Sequence, residues 1–274
     1  METYEEKCRN LHQIMKKLTM RDTAVAFSGG ADSSLLLKLA VQLAEENQTK
    51  VYAITANTEL HPASDIQMAA KIAGEIGAEH EVLYLNELEN ADISWNPSDR
   101  CYRCKKYLFQ AMQKAASDRQ IDTLLEGTNA DDLKVYRPGL KALSELGIIS
   151  PLMEAGMTKQ EVRHLAREYG ITVADRPASP CLATRFPYGA KLTEEKLKRV
   201  EQGEEFLKRF GFYNVRLRDH DDLARIEVDA KDFPLACEKR EEIVQYLCRL
   251  GFDYVTLDLA GFRSGSMDLH VKDI

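Results

Sequence analysis

The sequence predicts an α/β fold: a parallel sheet with helices on both faces, followed by a smaller C-terminal α+β unit. Three observations carry that prediction. Short apolar runs alternate with helix-length amphipathic segments through roughly the first 170 residues, the pattern of a parallel sheet joined by crossover helices. One such run, residues 23–27, passes through Ser28-Gly29-Gly30-Ala31-Asp32-Ser33-Ser34 directly into a helical run. In the last third of the chain the order becomes helix, strand, strand, helix, strand, which suits a separate α+β unit. The boundary is placed between residues 175 and 176, giving domains 1–175 and 176–274.

Each element has its own warrant. Residues 4–18 read as a helix because Cys8, Leu11, His12, Met15 and Leu18 recur at helical spacing, with Cys8 and His12 taken as core side chains. Strand 23–27 leads through the glycine turn into an apolar helix over 35–44. Residues 51–56 are a continuous apolar run, as expected of a strand buried on both faces. A helix over 66–76 ends at Gly77, strands follow at 81–85 and 123–126, and 147–150 is a candidate fifth strand. Thr158 and Glu161 have capping-box spacing at the head of a helix over 158–169. Residues 193–210 form a charged amphipathic helix, and 214–220 and 223–228 alternate and should pair as a hairpin. A single helix over 233–250 carries Cys237, Val244, Leu247 and Cys248 on its apolar side, and 254–259 is the last strand.

Composition narrows the function classes. Apolar residues make up 44% and charged residues 30% of the 274, values of a globular chain. No apolar run reaches a membrane span, and the N-terminus lacks a signal-peptide pattern, so a cytoplasmic protein is expected. A net charge of −7 argues against a large nucleic-acid surface, which needs a basic face. Six cysteines in a chain of this length are too few for a disulfide scaffold, so a Cys-x-x-Cys pair points to metal or redox chemistry.

The strand–turn–helix at residues 23–43 has the parts of a phosphate site. Gly29 and Gly30 permit a tight turn with backbone N–H groups close to a ligand, and the helix start adds unpaired donors and partial positive charge. Ser28, Ser33 and Ser34 supply hydroxyls, and Asp32 is an acceptor suited to Mg²⁺ between phosphate oxygens. The reading is a site for the pyrophosphate part of ATP. It is neither a Walker A loop, since no Gly-Lys-[Ser/Thr] follows, nor a dinucleotide fingerprint. Ligands of such sheets sit at the C-terminal strand ends, so the loops after Phe27, Thr55, Leu85 and Glu126 should converge. Thr55 and Ala56 are placed to contact adenine or ribose through backbone groups. Gly127-Thr128-Asn129-Ala130-Asp131-Asp132 reads either as a polar helix-capping turn or as a nucleotide contact, with Asn129 and Asp132 orienting ligand or metal.

The cysteines and arginines leave more than one reading. Cys101 and Cys104, where a loop enters a helix, have metal-centre spacing, and Arg100, Arg103, Lys105 and Lys106 favour thiolate there. Residues 175–189 hold three prolines and Gly189, which exclude a regular helix. They read as a linker or, because Cys181, Arg176 and Arg185 stand among aromatics, as an active-site loop. Three loop cysteines suit a cubane cluster with one open iron, a redox trio handling a persulfide, or, less well, zinc. Arg216 and Arg218 share one strand face, with Glu227 across. They read equally as a solvated face and as an anion clamp. Arg263 reads both ways too. Trp95, the only tryptophan, stands in the long loop between the third strand and Cys101.

Two resemblances follow. The Ser28–Ser34 loop resembles the PP-loop of the ATP pyrophosphatase (adenine nucleotide α-hydrolase-like) superfamily, which implies AMP and pyrophosphate as products. Over nearly its full length the chain resembles the LarE sulfur transferases. The residues that carry this are the PP-loop, Gly127-Thr128-Asn129, Cys181-Leu182-Ala183-Thr184-Arg185, Val215-Arg216-Leu217-Arg218, residues 223–228 and Gly261-Phe262-Arg263. The resemblance implies ATP-dependent adenylation of a carboxylate of a pyridinium biscarboxylate mononucleotide, then displacement of AMP by sulfur. It places the chain in the making of the nickel-pincer nucleotide of lactate racemase. It also implies a homo-oligomer, a sulfur donor, and nucleotide contacts from Ser28, Gly29, Gly30, Asp32, Ser33, Ser34, Thr55, Gly127, Thr128 and Asn129. Substrate contacts would come from Trp95, Arg185, Arg216, Arg218 and Arg263, with Cys181, Asp32 and Glu227 catalytic. Family members with a sacrificial cysteine at the position of Cys181 lack Cys-x-x-Cys. Cys101 and Cys104 therefore place this chain with the branch in which three cysteines, Cys181 included, hold a [4Fe–4S] cluster carrying sulfide. The alternatives are a tRNA-thiolating PP-loop enzyme, an amide-forming adenylating synthetase and a non-catalytic nucleotide-binding module. The first needs a basic surface, the second leaves the cysteines unexplained, and ATP–pyrophosphate exchange would argue against the third.

Overall fold

The computed structural model describes residues 2–134, 138–176, 180–263 and 265–267. Two compact units share the chain. The first comprises Met1–Thr58, Ala63–Ala91 and Cys101–Ser179, and the second Glu59–Pro62, Asp92–Arg100 and Pro180–Ile274.

The first unit begins with α1 (Tyr4–Leu18), opened by a Thr3/Glu6 capping box. Leu11 and Met15 are buried, whereas His12, one residue round the helix from Leu11, is exposed rather than in the core. Then follow β1 (Thr23–Ala26), α2 (Ala31–Asn47), β2 (Val51–Asn57), α3 (Ala63–Ile76) and β3 (Glu79–Tyr84). The short α4 (Glu87–Asn90) precedes α5 (Arg100–Ser117), β4 (Leu124–Leu125), α6 (Gly139–Glu145), α7 (Pro151–Glu154) and α8 (Lys159–Glu168). The four strands are parallel in the order β3-β2-β1-β4. The candidate fifth strand is reduced to one parallel bridge, Ile149 to Leu125.

Period-two alternation explains why both sheet faces are covered. Val25, Ala53 and Leu125 enter one cluster with α2, α3 and α8 residues, whereas Ala24, Ile54 and Leu124 enter another with Phe109, Met112 and Leu143. The strand order matters for function. From β1 the chain steps outward through β2 to β3 and then returns to the other side of β1 as β4. The crevice at such a reversal, outside the strand C-termini, is where open α/β sheets take ligands.

The second unit contains a 3-10 turn (Leu182–Arg185), α9 (Glu194–Lys208), β5 (Val215–His220), β6 (Leu223–Val228), α10 (Phe233–Glu238), α11 (Arg240–Arg249) and β7 (Tyr254–Leu257). β5 and β6 form the expected hairpin, and β7 adds parallel to β6. α9 packs closely on this sheet because Gly203 has no side chain, and a Cβ there would lie 2.3 Å from Leu217 Cδ2.

The single helix expected over 233–250 is two helices meeting at Lys239. Ala236, Ile243 and Leu247 are its buried residues, while Cys237, Cys248 and Val244 are exposed. The assumed apolar face was one residue out of phase, and one residue is a rotation of about 100°. Cys237 and Cys248 are therefore surface thiols and not core. No helix among the described residues is long and apolar enough to cross a membrane.

Candidate active site

In the first unit the loops after β1 and β4 meet over the N-terminus of α2. Gly29 takes the left-handed conformation, φ +67°, and a Cβ on it would lie 2.8 Å from Ala69 Cα. Only glycine fits that turn. Gly30 is the N-cap of α2 and gives no side-chain cap, so the donors of the first turn have no capping acceptor. The three serines diverge in role. Ser28 Oγ and Ser33 Oγ lie 3.2 Å apart, and Ser33 Oγ also bonds Gly30 O, which fixes the loop. Ser34 Oγ is buried without a hydrogen-bond partner.

Gly127 lies against this turn: a Cβ on it would be 3.1 Å from both Asp32 Cβ and Ser33 N. The turn is held from below by the buried carboxylate of Glu126, which accepts from Thr128 N at 3.0 Å, from Thr128 Oγ1 at 2.8 Å and from Ser150 Oγ. Asn129 N donates to Asp132 Oδ2, and Asn129 Oδ1 accepts from Asp131 N. The side chain of Thr128 and both of these Asn129 groups are thus committed to shaping the turn. Thr55 Oγ1 donates to Phe27 O at 2.7 Å and meets His80 Nε2 at 2.8 Å, so its hydroxyl latches the β1 and β2 exits together.

Asp32 is the chemical centre of this unit. One carboxylate oxygen, Oδ2, meets Lys159 Nζ at 2.6 Å, and the other, Oδ1, is buried without a hydrogen-bond partner. Burial pushes its pKa up, the Lys159 ammonium opposes that, and the charge of Asp132 adds to the upward push. An orphaned carboxylate oxygen beside uncapped N–H donors fits a hard cation such as Mg²⁺ held against phosphate. Sequence reading missed Lys159, which lies 127 positions downstream of Asp32. The available signal was the Thr158/Glu161 capping box, which fixes Lys159 as the first residue of α8.

In the second unit, the loop that bears Cys181 is anchored by Arg185. This buried guanidinium makes a two-pronged pair with Glu204, Nε–Oε1 and Nη2–Oε2 both 2.8 Å. Its Nη1 donates to Pro180 O, Cys181 O and Thr184 Oγ1. Arg185 is therefore occupied within the protein and not presented to an anion. Glu204 was not singled out from sequence, although Gly203 beside it marks the close approach. Burial pushes the Glu204 pKa up, but the paired Arg185 donors, the charge of Arg216 and the Leu217 N–H outweigh it, and the net direction is down.

Glu227, fully buried, accepts from Arg218 Nη2 at 2.7 Å, from Ser266 Oγ at 2.8 Å and from Arg225 Nη2 at 3.3 Å. Arg218 also donates to Thr184 O at 2.9 Å, which ties the hairpin to the Cys181 turn. The cross-strand reading of Arg218 and Glu227 thus holds, although the pair is buried, not solvated. Arg216 lies 5.2 Å from the centroid of Phe262, and burial lowers its pKa. Arg263 is exposed. Trp95 is also exposed, with Lys191 Nζ 5.9 Å from its ring centroid.

Cys101 and Cys104 lie in the first turns of α5 and not in a loop before it. Residues i and i+3 share one helix face. The Cys104 thiol faces the buried carboxylate of Glu87. Cys181 is the N-cap of the 3-10 turn. Among the described residues, no three His, Cys, Asp or Glu side chains form a gathered metal-holding group.

A family model described as a PP-loop domain matches residues 3–135. The chain is 39% identical over 269 residues to the pyridinium-3,5-bisthiocarboxylic acid mononucleotide synthase of Lactiplantibacillus plantarum, covering 98% of this chain and 96% of that protein. The chain belongs to the LarE family of the PP-loop superfamily. Another similar protein, uncharacterised, comes from Synechocystis: 38% identical over 266 residues, 96% of this chain and 97% of the relative. A component of the glutamine-hydrolysing GMP synthase of Methanococcus vannielii is 26% identical across 69% of this chain and 64% of its own length. The synthase and the Synechocystis protein thus match nearly the whole chain, and the GMP synthase component only part of it.

Proposed function

We propose that this LarE-family chain is an ATP-dependent sulfurtransferase that adenylates a carboxylate of pyridinium-3,5-biscarboxylic acid mononucleotide and exchanges AMP for sulfur. The observation that carries the reading is Asp32, with one free buried oxygen, at the uncapped head of α2 beneath the Gly127 turn. It is supported by full-length similarity to a bisthiocarboxylic acid mononucleotide synthase.

The chemistry follows from the residues. The N–H groups of the PP-loop and α2 bind the β- and γ-phosphates of ATP, and Ser34 adds an unspent hydroxyl. Asp32 would hold Mg²⁺, which would draw charge from the phosphates. A substrate carboxylate oxygen bonds to the α-phosphorus, and the bond to the diphosphate breaks with its electron pair on pyrophosphate. Donors fixed before the reaction stabilise that charge without reorganising. A sulfur nucleophile then attacks the acyl carbon and AMP departs, leaving a thiocarboxylate. Two rounds give the bisthiocarboxylate, a step toward the nickel-pincer nucleotide of lactate racemase.

Arg216 and Arg263 grip the anionic groups of the substrate, and Trp95 stacks on the pyridinium ring. Arg218 and Glu227 keep that arginine face in order, and Arg185 holds the Cys181 loop. Thr55 and Asn129 shape the nucleotide site through the loops they fix. Cys101, Cys104 and Cys181 would supply three thiolates for a [4Fe–4S] cluster, whose open iron would hold sulfide from a sulfur donor. The spacing of the first two and the cationic residues around them support this. The setting is cytoplasmic and the assembly a homo-oligomer.

Anaerobic incubation with ATP, Mg²⁺, a sulfide source and the biscarboxylate mononucleotide tests the reading. AMP, pyrophosphate and a substrate mass raised by oxygen-to-sulfur exchange are expected. Release of ADP, or AMP formation only with tRNA or ammonia, would sink it.

A further inference from the structure

The PP-loop carries no lysine of its own, yet an ammonium stands on its aspartate. Lys159 Nζ is 2.6 Å from Asp32 Oδ2 while Asp32 Oδ1 has no hydrogen-bond partner. The lysine backbone is pinned twice: its N–H donates to Asp131 Oδ2 at 2.9 Å, and the Thr158 capping box fixes the helix start. Asp131 in turn is held by Asn129, so the lysine is registered to the Gly127 turn as well as to the PP-loop. Its side chain, by contrast, remains 36% exposed, and a four-carbon stem on a fixed Cα can redirect its head group. Arg163, one turn further along α8, also acts on the Asp32 charge and has a buried Nε without a hydrogen-bond partner. Lys159 thus stands at the head of a helix whose N-terminal donors are uncapped, and the charge of Arg163 from the same α8 bears on Asp32 while its Nη2 donates to Arg176 O, an arrangement suited to a polyphosphate.

We propose that the Lys159 ammonium stands in for the metal on Asp32 until nucleotide arrives, then transfers to the departing diphosphate of ATP when Mg²⁺ takes its place. This rests on the adenylation step of the proposed function. The carboxylate carries one negative charge, so an ammonium on Oδ2 weakens what Oδ1 offers a divalent ion; free Mg²⁺ is kept off the site and metal enters with ATP, whose phosphates supply the missing charge. As the bond between the α-phosphorus and the diphosphate breaks, the electron pair stays on pyrophosphate. Lys159 keeps its proton and lends only charge.

The test compares wild type, Lys159→Met and Lys159→Arg, each checked for fold by circular dichroism. The probes are Mn²⁺ alone, followed by electron paramagnetic resonance, and inorganic pyrophosphate with Mg²⁺, followed by calorimetry. Lys159→Met should bind free Mn²⁺ about tenfold more tightly and pyrophosphate about tenfold or more weakly, the scale of one charge-assisted contact. Lys159→Arg, which keeps the charge, should stay close to wild type in both. Affinities that are unchanged, or that fall together in folded Lys159→Met, would reduce Lys159 to a structural ion pair and overturn the proposal. Neither probe involves the pyridinium substrate or sulfur, so failure of the thiolation reading would show separately, as wild type binding both probes as expected but making no thiocarboxylate.

Discussion

Asp32 and Gly29 put opposite demands on the PP-loop, one chemical and one steric. If Asp32 holds the metal, Asp32→Ala should cut AMP formation by about 10²–10³-fold, the scale of lost charge stabilisation, with an unchanged circular dichroism spectrum. Normal AMP release would remove Asp32 from the mechanism. Gly29→Ala should act through the backbone instead. Its φ of +67° and the 2.8 Å approach to Ala69 Cα should lower stability by about 1–3 kcal/mol, read as a fall in the urea midpoint, with loss of activity alongside. Gly29 and Asp32 were legible in the sequence because strand, turn and helix are contiguous and each residue's task is local. Lys159 was not, because its task depends on how α8 packs beside α2. Thr55 and Asn129 were legible as positions, but the hydrogen bonds their side chains make to Phe27 O and Asp131 N were not.

At the scale of elements, buried ion pairs and caps decide how the second unit and α8 are held. Glu204 on α9 ties that helix to both the Cys181 turn, through Arg185, and to β5, through the Leu217 N–H at 3.0 Å. Its folded pKa lies below its unfolded value. Its contribution is therefore whole above the ordinary carboxylate range and is lost as pH falls through the folded value. Glu204→Gln should lose about 3–5 kcal/mol at neutral pH, since Arg185 is left buried and unpaired. In urea melts the gap to wild type should hold from about pH 7 to about pH 5 and narrow only as pH falls below the ordinary carboxylate value of about 4.3, and a gap independent of pH would contradict the assignment. For α8, Thr158→Ala should lower stability by about 1 kcal/mol and weaken pyrophosphate binding less than Lys159→Met does, because the cap only aims the lysine. The β5–β6 hairpin and this capping box were readable from spacing alone. The break at Lys239 was not: no proline or glycine stands there, and the one-residue phase error over α10 and α11 moved Cys237 and Cys248 from core to surface.

Across the whole molecule, the units are discontinuous in sequence, and only tertiary hydrogen bonds reveal it. Leu60 O accepts from Leu182 N at 2.8 Å, and Asn96 Nδ2 donates to Phe186 O and to Pro187 O, the latter at 2.7 Å. Residues 59–62 and 92–100 thereby join the unit that bears Cys181, returns that a single linear cut near residue 176 does not register. Cys101 and Cys104 belong to one unit and Cys181 to the other, so the cluster proposal is tested on each cysteine by itself. Thiolates that bind a cluster make metal affinity part of folding free energy. Anaerobically reconstituted wild type should hold about four irons per chain and unfold at a higher temperature than the apoprotein. Cys101→Ala and Cys181→Ala should each lose iron and that gain in stability. Unchanged iron in Cys101→Ala would refute the three-thiolate assignment. Full iron in Cys181→Ala would show that the Cys-x-x-Cys pair acts without the loop cysteine, leaving Cys181 to the sulfur chemistry alone.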